Sequence, residues 1–237
     1  TNTDDMQGEV LQTKKWPILS KEKINNILDK FRGEILQKPP LFSSVHFKGE
    51  RAYKKARRGE EFNLMPKKVV INSLKLISWS QKEGELLVDI ECSKGTYIRS
   101  LARDIGEKIG CGAYLKKLHR TKSHSFNENH SILLPDKLQF YPDNLKPKIL
   151  KPNNFLKHLS SLELSSEEDL LSWRSGRKID LHNDLHRLKI PRKDQIYDSI
   201  TDNKNILILD NKNEIIGIAV LDQGFSLKPK VVFNAIG

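Results

Sequence analysis

The segment Ser93 to Gly110, SKGTYIRSLARDIGEKIG, sets a phenol ring and a guanidinium two residues apart, Tyr97 and Arg99, at the start of an amphipathic helix. A helix N-terminus carries partial positive charge, so a cation in its first turn is disfavoured by roughly a few tenths of a kcal/mol. Ile98, Leu101, Ala102, Ile105 and Ile109 recur at helical spacing, which places Arg99 about 100° from the centre of the apolar stripe, at its rim. From the rim a guanidinium can fold over a cleft at the end of the preceding strand. A phosphate or a buried carboxylate there offsets its awkward position. Tyr97 offers a flat face and a hydroxyl, suited to stacking on a ring. A surface arginine beside a core tyrosine fits the same two residues equally well.

A second group carries different chemistry. In LFSSVHFKGERAYKKARRGEEF, the cations Lys48, Arg51, Lys54, Lys55, Arg57 and Arg58 crowd eleven residues with only Glu50 opposing them, and Phe42, Phe47 and Tyr53 interleave. Cations for phosphates and aromatics for bases are the means by which looped or single-stranded RNA is held. A solvated helix face is the competing reading, and the strong bias of sign favours RNA. A third basic run, AYLKKLHRTKS, carries Lys116, Lys117, Arg120 and Lys122 with Leu115 and Leu118. It reads equally as RNA contact or as a strand with a solvated face. Asp4 and Asp5 in TNTDDMQGEV are turn-formers by default.

The elements that must hold these residues are legible in outline. Glu9 to Thr13 reads as a strand. Ser20 reads as an N-cap for a helix with Ile24, Ile27, Leu28 and Phe31 inward, ending at Gly33. Pro39-Pro40 break any regular element beyond it. Val69 to Ile77 is β-rich, and Leu86, Val88, Ile90 and Cys92 alternate with polar or outward neighbours as a half-buried strand. The helix of the opening segment comes next, with Thr96 as its N-cap and Gly110 as its stop. Prolines 135, 142, 147 and 152 mark a connecting region. Ser165 to Glu168 forms a capping box ahead of a short helix stopped by Gly176. Ile206–Leu209 and Glu214–Val220 flank DNKN as a hairpin, and Lys230–Phe233 adds a strand. The tail is therefore a small β-rich domain.

Bulk properties set the class. A chain of 237 residues with 37% hydrophobic content, mean hydropathy of -0.54 and no long apolar run reads as a soluble protein, not a membrane one. The early apolar stretches are short and broken by charge, unlike a secretory signal. Two cysteines, Cys92 and Cys111, and seven scattered histidines form neither a disulfide framework nor a finger-type metal site, so the expected setting is reducing and cytoplasmic. A net charge of +11 with pI near 9.5 points to a polyanionic partner, of which nucleic acid is the commonest.

Three segments, TNTDDMQGEV, PPLFSSVHFKGERAYKKARRGEE and CSKGTYIRSLARDIGEKIGCGAYLKKLHRTKS, in this order and spacing, closely resemble the bacterial tRNA pseudouridine-55 synthase (TruB) family. The resemblance is dense from Thr1 to about Phe126 and looser through Trp173-Arg-Ser-Gly and LKPKVVFNAIG, which look like that family's RNA-binding domain of PUA type. It implies isomerisation of one uridine in the T loop of tRNA, by base flipping and an aspartate nucleophile, with neither cofactor nor metal. It implies that Arg99 pairs with that aspartate, that Tyr97 lines the pocket of the flipped base, that Leu118 packs beneath it, and that Asp5 completes the carboxylate network. Substrate contacts fall by the same resemblance on Lys94, Phe42, Ser43, Lys48, Arg51, Tyr53, Arg57, Arg58 and Arg120, within or near a thumb-like insertion at about 38–66. The implied fold is α+β: a mixed, mostly antiparallel and incomplete sheet with flanking helices, followed by the β-rich PUA-like domain. The corresponding divisions are 1–126, a connecting region 127–160, and 161–237. The implied partner is the T-arm stem-loop of tRNA, and the expected state is a monomer.

The sequence departs from the family in one large way. The nucleophile's motif, Gly-x-Leu-Asp-x-x-Ala-x-Gly, belongs upstream of the TDD turn, and no aspartate of this chain has that context. Leu221-Asp222-Gln223-Gly224 is the nearest look-alike, in the other domain. The chain begins at Thr1, inside a polar turn, so the expectation is that sequence precedes it and that these 237 residues alone do not turn over. A sheet missing its first strands is expected to expose an edge and apolar surface. Smaller departures are His119 where arginine is usual, His46 where lysine is frequent and Ser44 where alanine is usual. Each lost cation lowers RNA affinity and its salt dependence modestly. The alternatives are a tRNA-binding module without catalysis and a basic structural protein of a ribonucleoprotein. The Tyr97–Arg99 motif argues against the last.

Overall fold

The structure is a computed structural model that describes residues 1–133, 152–181, 188–189, 205–222 and 226–236. It separates into two units, Thr1–His119 and Arg120–Gly237. The connecting region expected over 127–160 lies partly outside the described residues, as does the Gln223-Gly224 half of the look-alike.

In the first unit, α1 (Lys21–Leu28) starts where Ser20 accepts a hydrogen bond from the Lys23 N–H at 3.1 Å. It buries Ile24 and Leu28, four residues apart on one face. The helix does not run on to Gly33. A 3₁₀ turn spans Asp29–Phe31, and Gly33, at φ 80°, opens strand β1 (Gly33–Gln37), which the helical reading hid. A two-strand ribbon, β2 (His46–Phe47) and β3 (Glu50–Arg51), leads into the short helix α2 (Ala52–Arg57). The long strand β4 (Lys67–Ser80) pairs antiparallel with β1 on one side and with β5 (Glu85–Cys92) on the other. The alternation read in β5 holds residue by residue: Leu86, Val88, Ile90 and Cys92 face inward while Leu87, Asp89 and Glu91 face out.

Helix α3 (Ile98–Ile109) lies across this sheet, and its Leu101 and Ile105 join Leu19, Ile24, Leu28, Ile71 and Leu74 in one core. That shared burial fixes α3, and with it the residues at its first turn. Strands β1 and β5 are the edges of the three-stranded sheet, and Leu36, Val70 and Leu87 are exposed upon it.

Two further expectations in this unit are corrected. Glu9–Thr13 is not a strand: the segment is exposed, with Val10 and Leu11 uncovered. Apolar content without a pairing neighbour does not make one. Thr96 does not cap α3, because its hydroxyl donates to the Ser93 carbonyl at 2.9 Å inside the preceding turn. Tyr97 occupies the N-cap position, and its backbone N–H donates to Gln37 Oε1 at 2.8 Å.

In the second unit, a two-strand hairpin, β6 (Lys122–Ser123) and β7 (Phe126–Asn127), is followed by a 3₁₀ turn at Glu128–His130. The basic run before it is not a continuous strand. Only Leu115 makes a β-bridge, and regular pairing begins at Lys122. A five-stranded sheet is built from β8 (Ser160–Glu163), β9 (Ile179–Asp180), β10 (Asn205–Leu209), β11 (Ile215–Leu221) and β12 (Ser226–Val232), in the order β8-β10-β11-β12-β9. Helix α4 (Glu167–Arg174) is capped by Ser166, one residue later than expected, with Asp169 N–H as the donor. Its Trp173 is fully buried and donates from Nε1 to the Ile216 carbonyl at 2.9 Å. The DNKN turn joins β10 to β11 as read. Asp210 Oδ1 accepts from the Lys212 and Glu214 N–H groups, and Asn213 takes the left-handed conformation. Among the described residues, no helix is long and apolar enough to cross a membrane.

Candidate active site

Arg99 does not point into bulk water. Its guanidinium crosses from the first turn of α3 to two other segments. Nη1 donates to the Thr3 carbonyl at 3.1 Å and to Asp5 Oδ2 at 3.2 Å, and Nη2 donates to the Phe42 carbonyl at 3.0 Å. Counted on five guanidinium N–H groups, these bonds leave two unengaged among the described residues. The cation's poor position at a helix N-terminus is thus offset by one carboxylate and two carbonyl dipoles.

Beside it opens a cavity of about 340 Å³, within the range of small-molecule sites. Its lining is Phe42, Ser43, Ser44, Tyr53, Arg57, Tyr97 and Arg99. Three rings, two guanidiniums and two serine hydroxyls can hold a planar heterocycle bearing a phosphate. Arg57 sits over the Tyr53 ring at 5.4 Å, which keeps one cation against an aromatic wall. The Ser43 side chain is buried, and its hydroxyl has no hydrogen-bond partner among the described residues. A buried donor-acceptor left so is costly unless something else completes it. No carboxylate lines the cavity among the described residues, and no group of three or more potential metal ligands occurs among them.

Asp5 is held from several directions. The Thr3 hydroxyl donates to its Oδ1 at 2.7 Å and the Gln7 N–H to the same oxygen at 3.1 Å. Its backbone bridges to Leu115: Met6 N–H donates to the Leu115 carbonyl, and Leu115 N–H to the Asp4 carbonyl. Burial works to raise the Asp5 pKa, but the Thr3 and Gln7 hydrogen bonds and the Arg99 charge together bring it below the usual carboxylate value. Asp4 moves the other way. Burial raises its pKa although Arg103 Nη1 lies 2.7 Å from its Oδ2.

The two neighbours should therefore contribute to stability with opposite pH dependence. Asp5, depressed in the folded state, stabilises above its unfolded pKa and loses that contribution as pH falls through its folded pKa. Asp4, raised, favours the fold at low pH and loses that contribution as pH rises through its folded pKa. A carboxyl ¹³C titration is expected to show Asp5 titrating below 3.8 and Asp4 above it. Coincident titrations contradict this arrangement.

The remaining sequence candidates scatter. Phe42, Ser43, Tyr53 and Arg57 join Tyr97 and Arg99 at the cavity. Arg51 Nη1 donates to the Ser44 carbonyl at 2.6 Å, which braces the wall from behind. Lys48, at the tip of the β2–β3 ribbon with φ 51°, lies 5.6 Å above the Phe47 ring. Arg58 is engaged elsewhere. It meets Glu50 with both Nη groups, at 2.8 and 2.7 Å, and Glu60 through Nε at 2.6 Å, while Lys55 also meets Glu60. Hydrogen bonding to Arg58 brings the Glu50 pKa down to about 2. Glu60 is a second opposing acid that the count across the basic run left out. Lys94 and Arg120 are exposed. Leu118 is 61% exposed and lies outside the cavity lining, so its side chain is free to meet a base. Sequence reading also overlooked Gln37, Thr3 and Arg103. Arg103 was detectable, since it stands one helical turn beyond Arg99.

The fold recurs in solved ribonucleoprotein structures. The structure is similar to a solved Cbf5–Nop10–Gar1 complex, with a TM-score of 0.63 and 19% identity over 94% of this chain and 65% of the other. It is also similar to an H/ACA ribonucleoprotein bound to a substrate RNA containing 2′-deoxyuridine, with a TM-score of 0.61 and 17% identity over 92% of this chain. The chain spans 65% and 62% of the lengths of those two solved chains.

Sequence comparison narrows the class. Residues 1–98 match the model for the N-terminal domain of the TruB family pseudouridylate synthases, and residues 99–152 match the tRNA pseudouridylate synthase B C-terminal domain. The tRNA pseudouridine synthase B of Prochlorococcus marinus (strain NATL1A) is 65% identical over all 237 residues, which cover 76% of that protein. The protein of the same name from Parasynechococcus marenigrum (strain WH8102) is 38% identical, with 74% of it covered. The chain belongs to the TruB pseudouridine synthase family.

Proposed function

We propose that the protein acts on uridine 55 in the T loop of tRNA, taking the base out of its stack and converting it to pseudouridine. The supporting observation is the Arg99–Asp5 pair at the margin of a cavity walled by Phe42, Tyr53 and Tyr97. Isomerisation breaks the bond from N1 of uracil to C1′ and forms one from C5 to C1′. The C5 proton leaves and N1 gains one, so no electrons are exchanged and no redox cofactor is required. Arg99 holds the attacking aspartate ionised and oriented through its two unengaged N–H groups. Tyr97 and Phe42 stack on the flipped base, and Arg57 and Arg51 meet the flanking phosphates. Ser43 completes its hydroxyl on the bound nucleotide. The nucleophile itself is supplied by the family's Leu-Asp segment ahead of Thr1. The β-rich second unit, of PUA type, adds RNA contacts, and the thumb at 38–66 grips the T arm.

The test uses a T-arm stem-loop with a single uridine at the target position. The 237-residue chain is expected to bind it with an affinity that falls steeply with salt, and to leave its uridine unchanged. Equal affinity for an unrelated hairpin removes the substrate assignment. Pseudouridine formed by this chain alone removes the upstream placement of the nucleophile and leaves the substrate standing.

A further inference from the structure

Arg99 has a counterpart one turn further along α3. Arg103 repeats the same bridging, with different partners. Its Nη1 meets Asp4 Oδ2 at 2.7 Å, its Nη2 donates to the Lys38 carbonyl at 2.9 Å, and its Nε donates to Asp104 Oδ1 at 2.9 Å. Residues four apart on a helix share a face, about 6 Å apart along its axis. Two consecutive aspartates of one turn are thus each gripped by one of two consecutive arginines of one face. Each arginine also ties the same second segment, Arg99 at Phe42 and Arg103 at Lys38. Ser100, fully buried between them, donates to the Lys38 carbonyl at 2.8 Å and closes the set.

The turn needs such a grip. Asp4 adopts φ 61°, a left-handed conformation that a non-glycine residue holds at a cost. That conformation lets the Asp4 carboxylate meet Arg103 while the Asp5 carboxylate meets Arg99. The Asp4 side chain is 13% exposed and the Arg103 side chain 23%, and Arg103 is absent from the cavity lining.

We propose that Arg103 is a positioning residue: through Asp4 it fixes the turn that aims the Asp5 carboxylate at Arg99, and through Lys38 it fixes the loop that carries Phe42 and Ser43. The inference rests on the catalytic reading of Arg99 and Asp5, but its test is read on the free protein.

The measurement is the Asp5 carboxyl ¹³C titration in the 237-residue chain, compared with Asp4→Asn, Arg103→Met and Arg103→Lys. Charge alone and positioning predict opposite signs for Asp4→Asn. Removing a neighbouring negative charge lowers the Asp5 pKa, whereas releasing the turn from α3 raises it toward the ordinary carboxylate value. The expected result is a rise of about half a unit or more in Asp4→Asn and in Arg103→Met, and a smaller one in Arg103→Lys, which keeps the charge and loses the fork. A lowered or unchanged Asp5 pKa in folded Asp4→Asn overturns the proposal, even if the protein melts earlier. Should Arg103→Met fail to fold, Asp4→Asn decides alone, since its side chain differs little in shape. Failure of the T-arm assay leaves this reading intact, because no RNA enters the titration.

Discussion

Arg99→Met, placed in an active pseudouridine synthase that contains this chain, is expected to lower pseudouridine formation on a T-arm hairpin by about two to three orders of magnitude. The substitution keeps much of the side chain's length and apolar stem. It removes the charge beside Asp5 Oδ2 and the links to the Thr3 and Phe42 carbonyls. Two consequences combine. On the proposed mechanism the attacking carboxylate would lose the cation that keeps it ionised, and the aspartate turn loses its direct tie to the Phe42 loop. Arg99→Lys restores charge without the planar fork and is expected to recover little, because one ammonium cannot reach three acceptors in that arrangement. Rates above about one tenth of the unaltered enzyme in Arg99→Met contradict the role. RNA affinity should fall far less than rate, since the substitution leaves the cations Arg57, Arg51 and Lys48 untouched.

Gly106→Ala is expected to damage the first unit more than any surface change. A Cβ at Gly106 would lie 2.3 Å from the Ala113 nitrogen and 2.3 Å from the Gly112 carbonyl carbon. Both are backbone atoms, so no side-chain rotation relieves the clash. The turn it strikes is tied to the helix by the Gly112 N–H to Gly106 carbonyl bond at 3.0 Å, and it leads to Leu115, which flanks the aspartate turn. Overpacking of this kind costs about 3 kcal/mol. For a unit of this size that is on the order of 10 °C in Tm. The damage should also reach the site, since displacing Leu115 releases the backbone of Asp4 and Met6. Calorimetry of Gly106→Ala with an unchanged melt contradicts the close approach.

Legibility in the sequence followed the range of each interaction. Strand β5 and helix α3 announce themselves because their periodicities are local and their burial is one-sided. The cost of Arg99 at a helix start raised the cleft reading without deciding it against a surface arginine, and the resemblance named Asp5 as part of the carboxylate network around it. Strand β1 was hidden because Gly33 reads equally as a helix stop and as a strand opening, and only pairing with β4 decides between them. Thr96 looked like a cap by type, but Tyr97 takes the cap position and its N–H is held by Gln37, sixty residues earlier in the chain. No spacing rule links such a pair. Leu118 was placed by likeness alone, because an exposed apolar side chain carries no local signal of what covers it. Arg58 looked like one more phosphate cation, whereas Glu60, just past the counted run, holds it within the protein.

The same pairs bear on the grip proposed for residues 38–66. Glu50 and Glu60 cancel the pull of Arg58 and Lys55 on a polyanion and in exchange lace the ribbon to its helix. A digit stiffened in this way meets its target already shaped, with little freedom left to surrender at contact. On the proposed reading, the segment would trade long-range attraction for readiness and would select among RNA hairpins by contour as much as by charge.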